Sequence, residues 1–208
     1  MAAWATGMQA GMQAGGAAAV PASAAINEFW GKLRDAGISE DGFLQLAPDT
    51  YFLGDPLNGS CLFVREPYRK VVEQVLHLWS QGITKLVITG SPGIGKSVFG
   101  WYLIWVVRQQ GDGCPNAIVL DQGPDDVVFC FLRDGRVLKA TSRAAFEQYT
   151  SDACTWLIVD GHKPPLKAAA KTILITSPDR TIWWQFHKER GATVRYMPAW
   201  NMAELEAC

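Results

Sequence analysis

The stretch Thr89-Gly90-Ser91-Pro92-Gly93-Ile94-Gly95-Lys96-Ser97 constrains this chain more than any other. From Gly90 it reads G-x-x-x-x-G-K-S, the pattern of a loop that wraps phosphate. Lys85-Leu86-Val87-Ile88-Thr89 ahead of it is a short, β-rich apolar run, and Ser97 to Gln110 behind it has the length and apolar character of a helix. Strand, glycine loop and helix is the setting such a loop requires. Gly90 and Gly95 let the backbone turn without a Cβ, so that successive N–H groups face one anion. The helix that follows adds its positive dipole end. Lys96 is expected at the β- and γ-phosphates, and the Ser97 hydroxyl on Mg²⁺. The predicted contact set is Gly90, Ser91, Pro92, Gly93, Ile94, Gly95, Lys96, Ser97 and Val98.

A loop of this kind needs a sheet beside it, and the chain supplies further apolar runs. Asn116 to Asp121 reads as a strand, and Val127 to Leu132 with Arg136 to Leu138 as a hairpin turned at Asp134-Gly135. Trp156-Leu157-Ile158-Val159-Asp160 is four apolar residues closed by a carboxylate, the pattern of a buried strand whose terminal Asp orders Mg²⁺. Asp160 is therefore the second predicted metal residue, with Ser97. Gly161-His162-Lys163 follows, so no carboxylate stands next to Asp160 as a general base, and His162 reads as a loop histidine before a catalytic one. Thr172 to Ser177 is another buried run. Thr176 and Ser177 lie at its end, where they either sense a γ-phosphate or cap a loop. Lys96, Asp160 and Ser177 form the predicted catalytic set.

Composition sets the outer bounds. The chain has 208 residues, 49 % of them apolar, enough for one sizeable α/β domain with an extension. A net charge of −1 and a pI near 6.3 give no global field for nucleic acid or membrane surfaces. No apolar run approaches the length of a membrane span. Five cysteines, an odd number without C-x-x-C or Cys/His spacing, support neither a disulfide framework nor a zinc site, and point to an intracellular, reducing setting in cytoplasm or nucleus. The nine tryptophans mostly sit among apolar neighbours and read as packing residues.

Residues 1–25 are rich in Ala, Gly and Met and carry no charge, which predicts a flexible low-complexity leader; neither the basic start nor the solid apolar core of a secretory signal is present. Residues 26–59 read as an arm packed on the core: a helix over 26–37 with Ile26, Phe29, Trp30 and Leu33 on one face, then an irregular stretch punctuated by Pro48, Gly54 and Pro56. Residues 60–208 form the predicted main domain. Within it, an amphipathic helix runs from Tyr68 to Gln81, a short helix over 141–149, a helix over 181–190, a core strand over 192–197 and a last helix from Asn201.

The segments LFVREPY, LVITGSPGIGKS, LIVDG, ILITSP and YMPAWNMAELEAC occur in that order. Together they resemble the NTPase domain of Crinkler-type effector proteins of oomycetes and fungi, and of the related retrotransposon hot spot proteins of trypanosomatids. The resemblance spans residues 62–208. Its specific part is Asp160-Gly161, Ser177-Pro178 and Tyr196-Met197-Pro198-Ala199-Trp200. It implies an ATPase of the AAA+/STAND kind with ATP and Mg²⁺ as cofactors, often joined to a nuclease or kinase domain. In such ATPases an apolar–apolar–Arg–Glu element lies near the nucleotide base; here that places Arg65 at the ligand, although Val64 replaces the usual glycine. A helix-start ion pair with Glu66 or a neighbour is the other reading of Arg65. The helical lid and effector domain of the family would begin where Cys208 ends the sequence.

The fold expected is therefore a three-layer α/β P-loop NTPase with a mainly parallel sheet, helices on both faces and, by family analogy, the strand order 5-1-4-3-2. The function expected is ATP binding with hydrolysis at the β–γ bond, controlling an effector domain, a protein partner or assembly with further copies of the chain. The alternative is a nucleotide-dependent switch with little turnover. A nucleotide kinase ranks last for want of an Arg-rich lid, and no Asn-Lys-x-Asp or Thr-Lys-x-Asp motif reads a guanine base.

Overall fold

Alternation of apolar side chains along the strands decides where each helix must pack. A computed structural model describes residues 18–123 and 127–208. The elements in chain order are β1 (Val20–Pro21), α1 (Ala24–Lys32), β2 (Gly37–Ile38), β3 (Phe43–Gln45), β4 (Cys61–Phe63), α2 (Glu66–Ser80), β5 (Lys85–Thr89) and α3 (Lys96–Arg108). They continue with β6 (Ala117–Asp121), β7 (Val128–Leu132), β8 (Val137–Ala140), α4 (Glu147–Thr150), β9 (Trp156–Asp160), β10 (Lys171–Ile175), α5 (Arg180–His187), β11 (Ala192–Tyr196) and α6 (Met202–Ala207).

Eight strands form one sheet in the order β1-β8-β7-β6-β9-β10-β5-β11. From β6 to β11 all pairings are parallel. Counted along the chain, those five strands lie in the order 5-1-4-3-2. The hairpin β7–β8 then extends the sheet antiparallel from β6. On β5, Leu86 and Ile88 face the same core as α1, α2 and α3, while Val87 faces the core that holds Trp183 and Phe186 of α5. On β9, Ile158 takes the first side and Leu157 and Val159 the second; on β10, Ile173 and Ile175 oppose Leu174. The sheet is thus buried on both faces, as near-continuous apolar strands require.

Several expectations are refined. The leader expected over residues 1–25 lies outside the described residues as far as residue 17, and Val20–Pro21 pairs with Leu138–Lys139 at the edge of the sheet. The stretch read as irregular contains β3, which joins β2 and β4 in a small antiparallel sheet. Its strands of two or three residues are too short for alternation to show in sequence. The strand read as core over 192–197 is an edge strand: Ala192 to Arg195 are half-buried and Tyr196 is 67 % exposed. No helix among the described residues is long and apolar enough to cross a membrane.

Residues 26–59 share the core of the main domain. Phe29 meets Phe52 at 6.0 Å and Phe131 of β7 at 6.4 Å between ring centroids, and Phe52 stacks on Trp101 of α3 at 5.5 Å. Trp30 donates its indole N–H to the Leu132 carbonyl at 2.9 Å and carries the Arg108 guanidinium on its face at 4.2 Å. Phe29 is 0 % exposed. Phe29→Ala is expected to lower stability by about 3–5 kcal/mol. Urea unfolding followed by fluorescence and by far-UV circular dichroism should show one shifted transition; an early separate transition would mean that the segment folds apart from the sheet.

Candidate nucleotide site

The Gly90–Ser97 loop leaves β5 and enters α3 through three glycines in left-handed or extended positive-φ geometry: Gly90 at +154°, Gly93 at +76° and Gly95 at +84°. Two of them also permit close approach. A Cβ on Gly90 would meet the Met197 carbonyl oxygen at 2.7 Å, and one on Gly95 would strike the Tyr68 hydroxyl. Any other residue at these positions would combine backbone strain with a clash.

Sheet order places the partners. β10 lies between β5 and β9, so the loop after β5 and Asp160 at the end of β9 flank the end of β10, where Thr176 sits. The Ser97 hydroxyl lies near enough to the Asp160 carboxyl to favour its charged form. Burial raises the Asp160 pKa, against the opposing effects of the Ser97 hydroxyl, of Lys96 and of His162. The Lys96 ammonium rests on the loop's own carbonyls, 2.9 Å from Gly90 O and 2.7 Å from Ser91 O; burial lowers its pKa and Asp160 opposes the shift. The hydroxyls of Thr89 and Thr176 are buried at the base of the loop without a hydrogen-bond partner among the described residues. Such atoms call for an explanation, and a ligand or water at the loop is a physical one. Ser91, Pro92 and Gly93 are exposed, Ser97 is exposed at the mouth, Ile94 is buried beneath, and Val98 is half-buried in the first turn of α3. Ser177 is half-buried just beyond β10, and Arg180 lies on the Trp184 ring at 5.3 Å, on the first turn of α5.

Arg65 is placed beneath the loop. It is 0 % exposed. Its Nε and Nη2 bind the two carboxylate oxygens of Glu204 at 3.1 and 2.9 Å. Nη1 donates to Ile94 O at 2.8 Å, and Nη2 also reaches Pro198 O and Ala199 O at 3.2 and 3.0 Å. Trp200 covers the guanidinium at 4.3 Å and stacks in turn near Phe63. The ion pair anticipated with Glu66 is instead made with Glu204, from the far end of the chain. Tyr68, one turn into α2, donates to Gly95 O at 2.6 Å. The underside of the loop is therefore tied at Ile94 and Gly95, from β4–α2 and from the 197–204 segment.

His162 is also committed. Its Nδ1 lies 3.0 Å from Asp160 O and its Nε2 3.0 Å from Asp121 Oδ2. Both neighbours are acceptors, so a ring that serves both donates from both nitrogens and is an imidazolium. Asp121, at the end of β6, raises the His162 pKa accordingly, and also accepts from Arg143 Nη1 at 2.6 Å.

Sequence reasoning did not find Tyr68, Glu204, Trp200, Asp121 or Arg143 as parts of this neighbourhood. Only Glu204 left a local signal: with Asn201 it forms a capping box at the start of α6. Tyr68 meets the loop, Trp200 covers Arg65 and Arg143 reaches Asp121 through tertiary contacts that leave no spacing to read.

The fold and loop define an α/β protein with a mainly parallel sheet and a glycine-lined cradle at the carboxyl ends of its strands. No family model matches the chain. Among curated proteins it is similar to Crinkler effector protein 15 and Crinkler effector protein 16 of Phytophthora infestans, 25 % identical to each over 81 % of this chain. The match covers 30 % of each relative, so the chain spans less than a third of the curated relatives' length. The likeness supports a Crinkler-like relationship.

Two outcomes follow for the buried ion pair. Glu204→Ala leaves the Arg65 charge buried and unpaired, and is expected to cost about 3–5 kcal/mol in urea unfolding. Arg65 holds the Glu204 carboxyl below the usual range. Its folded pKa is lower than its unfolded one, so its contribution is complete above the unfolded pKa of about 4.3 and is lost as pH falls through the folded value. The stability gap between the unaltered chain and Glu204→Gln should hold from pH 7 to pH 5 and narrow below about pH 4.

Proposed function

We propose that the chain binds ATP with Mg²⁺ at the Gly90–Ser97 loop and hydrolyses it at the β–γ bond, as a nucleotide-controlled unit of a Crinkler-like protein. The observation that carries this reading is the approach of Ser97 to Asp160 beside a lysine whose hydrogen bonds, among the described residues, go to the loop's own carbonyls. Lys96 Nζ occupies loop carbonyls that phosphate oxygens would replace. The loop amides, freed by Gly90, Gly93 and Gly95 to face outward, would hold the same anion. Ser97 and Asp160 would hold the cation. Among the described residues no cluster of three or more His, Cys, Asp or Glu could do so alone, which suits an ion that keeps its waters and phosphate ligands. Bound Mg²⁺ would neutralise charge on the leaving phosphates. Thr176 or Ser177, at the end of β10 between the loop and Asp160, would meet the γ-phosphate, and the orphaned Thr176 hydroxyl supports the former. An intracellular place of action and a regulated effector domain or protein partner belong to the same reading; five unpaired cysteines support the first.

One observation favours a second reading, a nucleotide-dependent switch with little turnover. Gly161 follows Asp160, and both ring nitrogens of His162 are engaged, by Asp160 O and by Asp121 Oδ2, so neither is open to a water. No carboxylate follows Asp160 in sequence to act as a general base.

Lys96→Ala should weaken ATP affinity about 10- to 100-fold in calorimetry while the far-UV spectrum is unchanged, the scale of a lost charge-assisted contact. Undiminished affinity would sink both readings. Phosphate release from the unaltered chain, lost in Asp160→Asn, supports hydrolysis; tight binding without release supports the switch.

A further inference from the structure

A cleft lies at the carboxyl end of β6. It has a volume of about 610 Å³ and is walled by residues 141–151 and 162–168. Among the described residues that line it, none belongs to the Gly90–Ser97 loop, and Asp160 is not one of them. In parallel α/β sheets this edge is where ligands settle.

Three basic side chains, Arg143, His162 and Lys167, line the cleft with two acidic ones, Asp121 and Glu147. Asp121, 6 % exposed, receives Arg143 at 2.6 Å and His162 at 3.0 Å on the same oxygen, Oδ2. Arg143 also donates to the Lys163 carbonyl at 3.3 Å, which ties one wall to the other. A guanidinium has five N–H groups, and these two bonds leave donors over. The Lys167 ammonium makes no hydrogen bond or ion pair with a described residue. Thr141 and Ser142 add hydroxyl-bearing side chains to the lining. Besides Asp121, which Arg143 and His162 already engage, the lining holds one carboxylate, Glu147. Donor groups brought together in a walled space call for an acceptor-rich, negatively charged ligand.

We propose that this cleft is a second ligand site, taking a small organic oxyanion, a carboxylate or a phosphate monoester, on Arg143 and Lys167 with the Thr141 and Ser142 hydroxyls beside it. Its floor is joined to the nucleotide site: Arg143 and His162 share Asp121 Oδ2, and His162 holds the Asp160 carbonyl. A ligand that draws on Arg143 therefore acts on the group that fixes the end of β9.

The test is a backbone-amide NMR titration of the full chain carrying Lys96→Ala, so that the loop lysine offers no oxyanion contact. Sodium succinate is the probe in one series and glycerol 3-phosphate in the other. The expected result is saturable shifts confined to residues 141–144 and 167–168, with affinity falling about tenfold in Lys167→Glu. Lys167 is exposed, so that variant keeps the fold, as the rest of its spectrum will report. Saturation by succinate alone assigns a carboxylate ligand, by glycerol 3-phosphate alone a phosphate ester, and by both a general oxyanion site. No saturable shift with either probe, or shifts unchanged by Lys167→Glu, overturns the proposal. Neither probe is a nucleotide, so the outcome is independent of whether the loop binds ATP.

Discussion

A single buried guanidinium organises the underside of the candidate site. Arg65 joins three stretches far apart in sequence: its own position ahead of α2, the Ile94 carbonyl in the loop, and the 198–204 segment. Burying that charge is costly, and the carboxylate of Glu204, three backbone carbonyls and the face of Trp200 together offset the cost. A pair of this kind is a weak source of net stability. Its value is geometric, since few other arrangements of these segments would engage all three nitrogens of the planar fork.

The loop depends on that support from below because glycine gives it little rigidity of its own. Gly90, Gly93 and Gly95 remove the penalty for positive φ, and with it much of the preference for one conformation. Shape is restored from outside: the Met197 carbonyl against Gly90, the Tyr68 hydroxyl on Gly95 O, and Arg65 on Ile94 O. The upper side stays open, with Ser91, Pro92 and Gly93 exposed and Lys96 folded back on carbonyls. A contact in which α6 and the loop share one cation also makes the position of α6 sensitive to the shape of the loop.

Much of the sheet was legible because parallel strands buried on both faces are long apolar runs. Lys85–Thr89, Ala117–Asp121, Trp156–Asp160 and Lys171–Ile175 lie within a residue or two of where the runs place them. The hairpin at Asp134-Gly135 was equally plain from its turn chemistry. The small sheet of β2, β3 and β4 was not, since strands this short carry no periodicity. The 192–196 strand was recognised, but its own residues did not mark it as an edge; only the order expected by family analogy, 5-1-4-3-2, put it at an end, because edge and centre differ by what lies alongside. For the candidate site, the loop and Asp160 were readable from local pattern. Arg65 drew attention by its Arg-Glu context, but its partner is 139 residues away.

By itself, the sequence determined which residues line the glycine loop, that a strand precedes it and a helix follows, and that a carboxylate ends a second buried strand. Those properties belong to contiguous residues, and backbone sterics and side-chain periodicity are enough to encode them. Tertiary structure alone decided that Asp160 lies across β10 from the loop, that Arg65 faces Glu204 and the underside of Ile94, and that Asp121 and the Asp160 carbonyl are bridged by the His162 ring. These are pairings between strand ends and loops whose distance along the chain is unrelated to their distance in space. They are fixed by the order in which strands join the sheet, and by the demand that each buried charge and donor find a partner there.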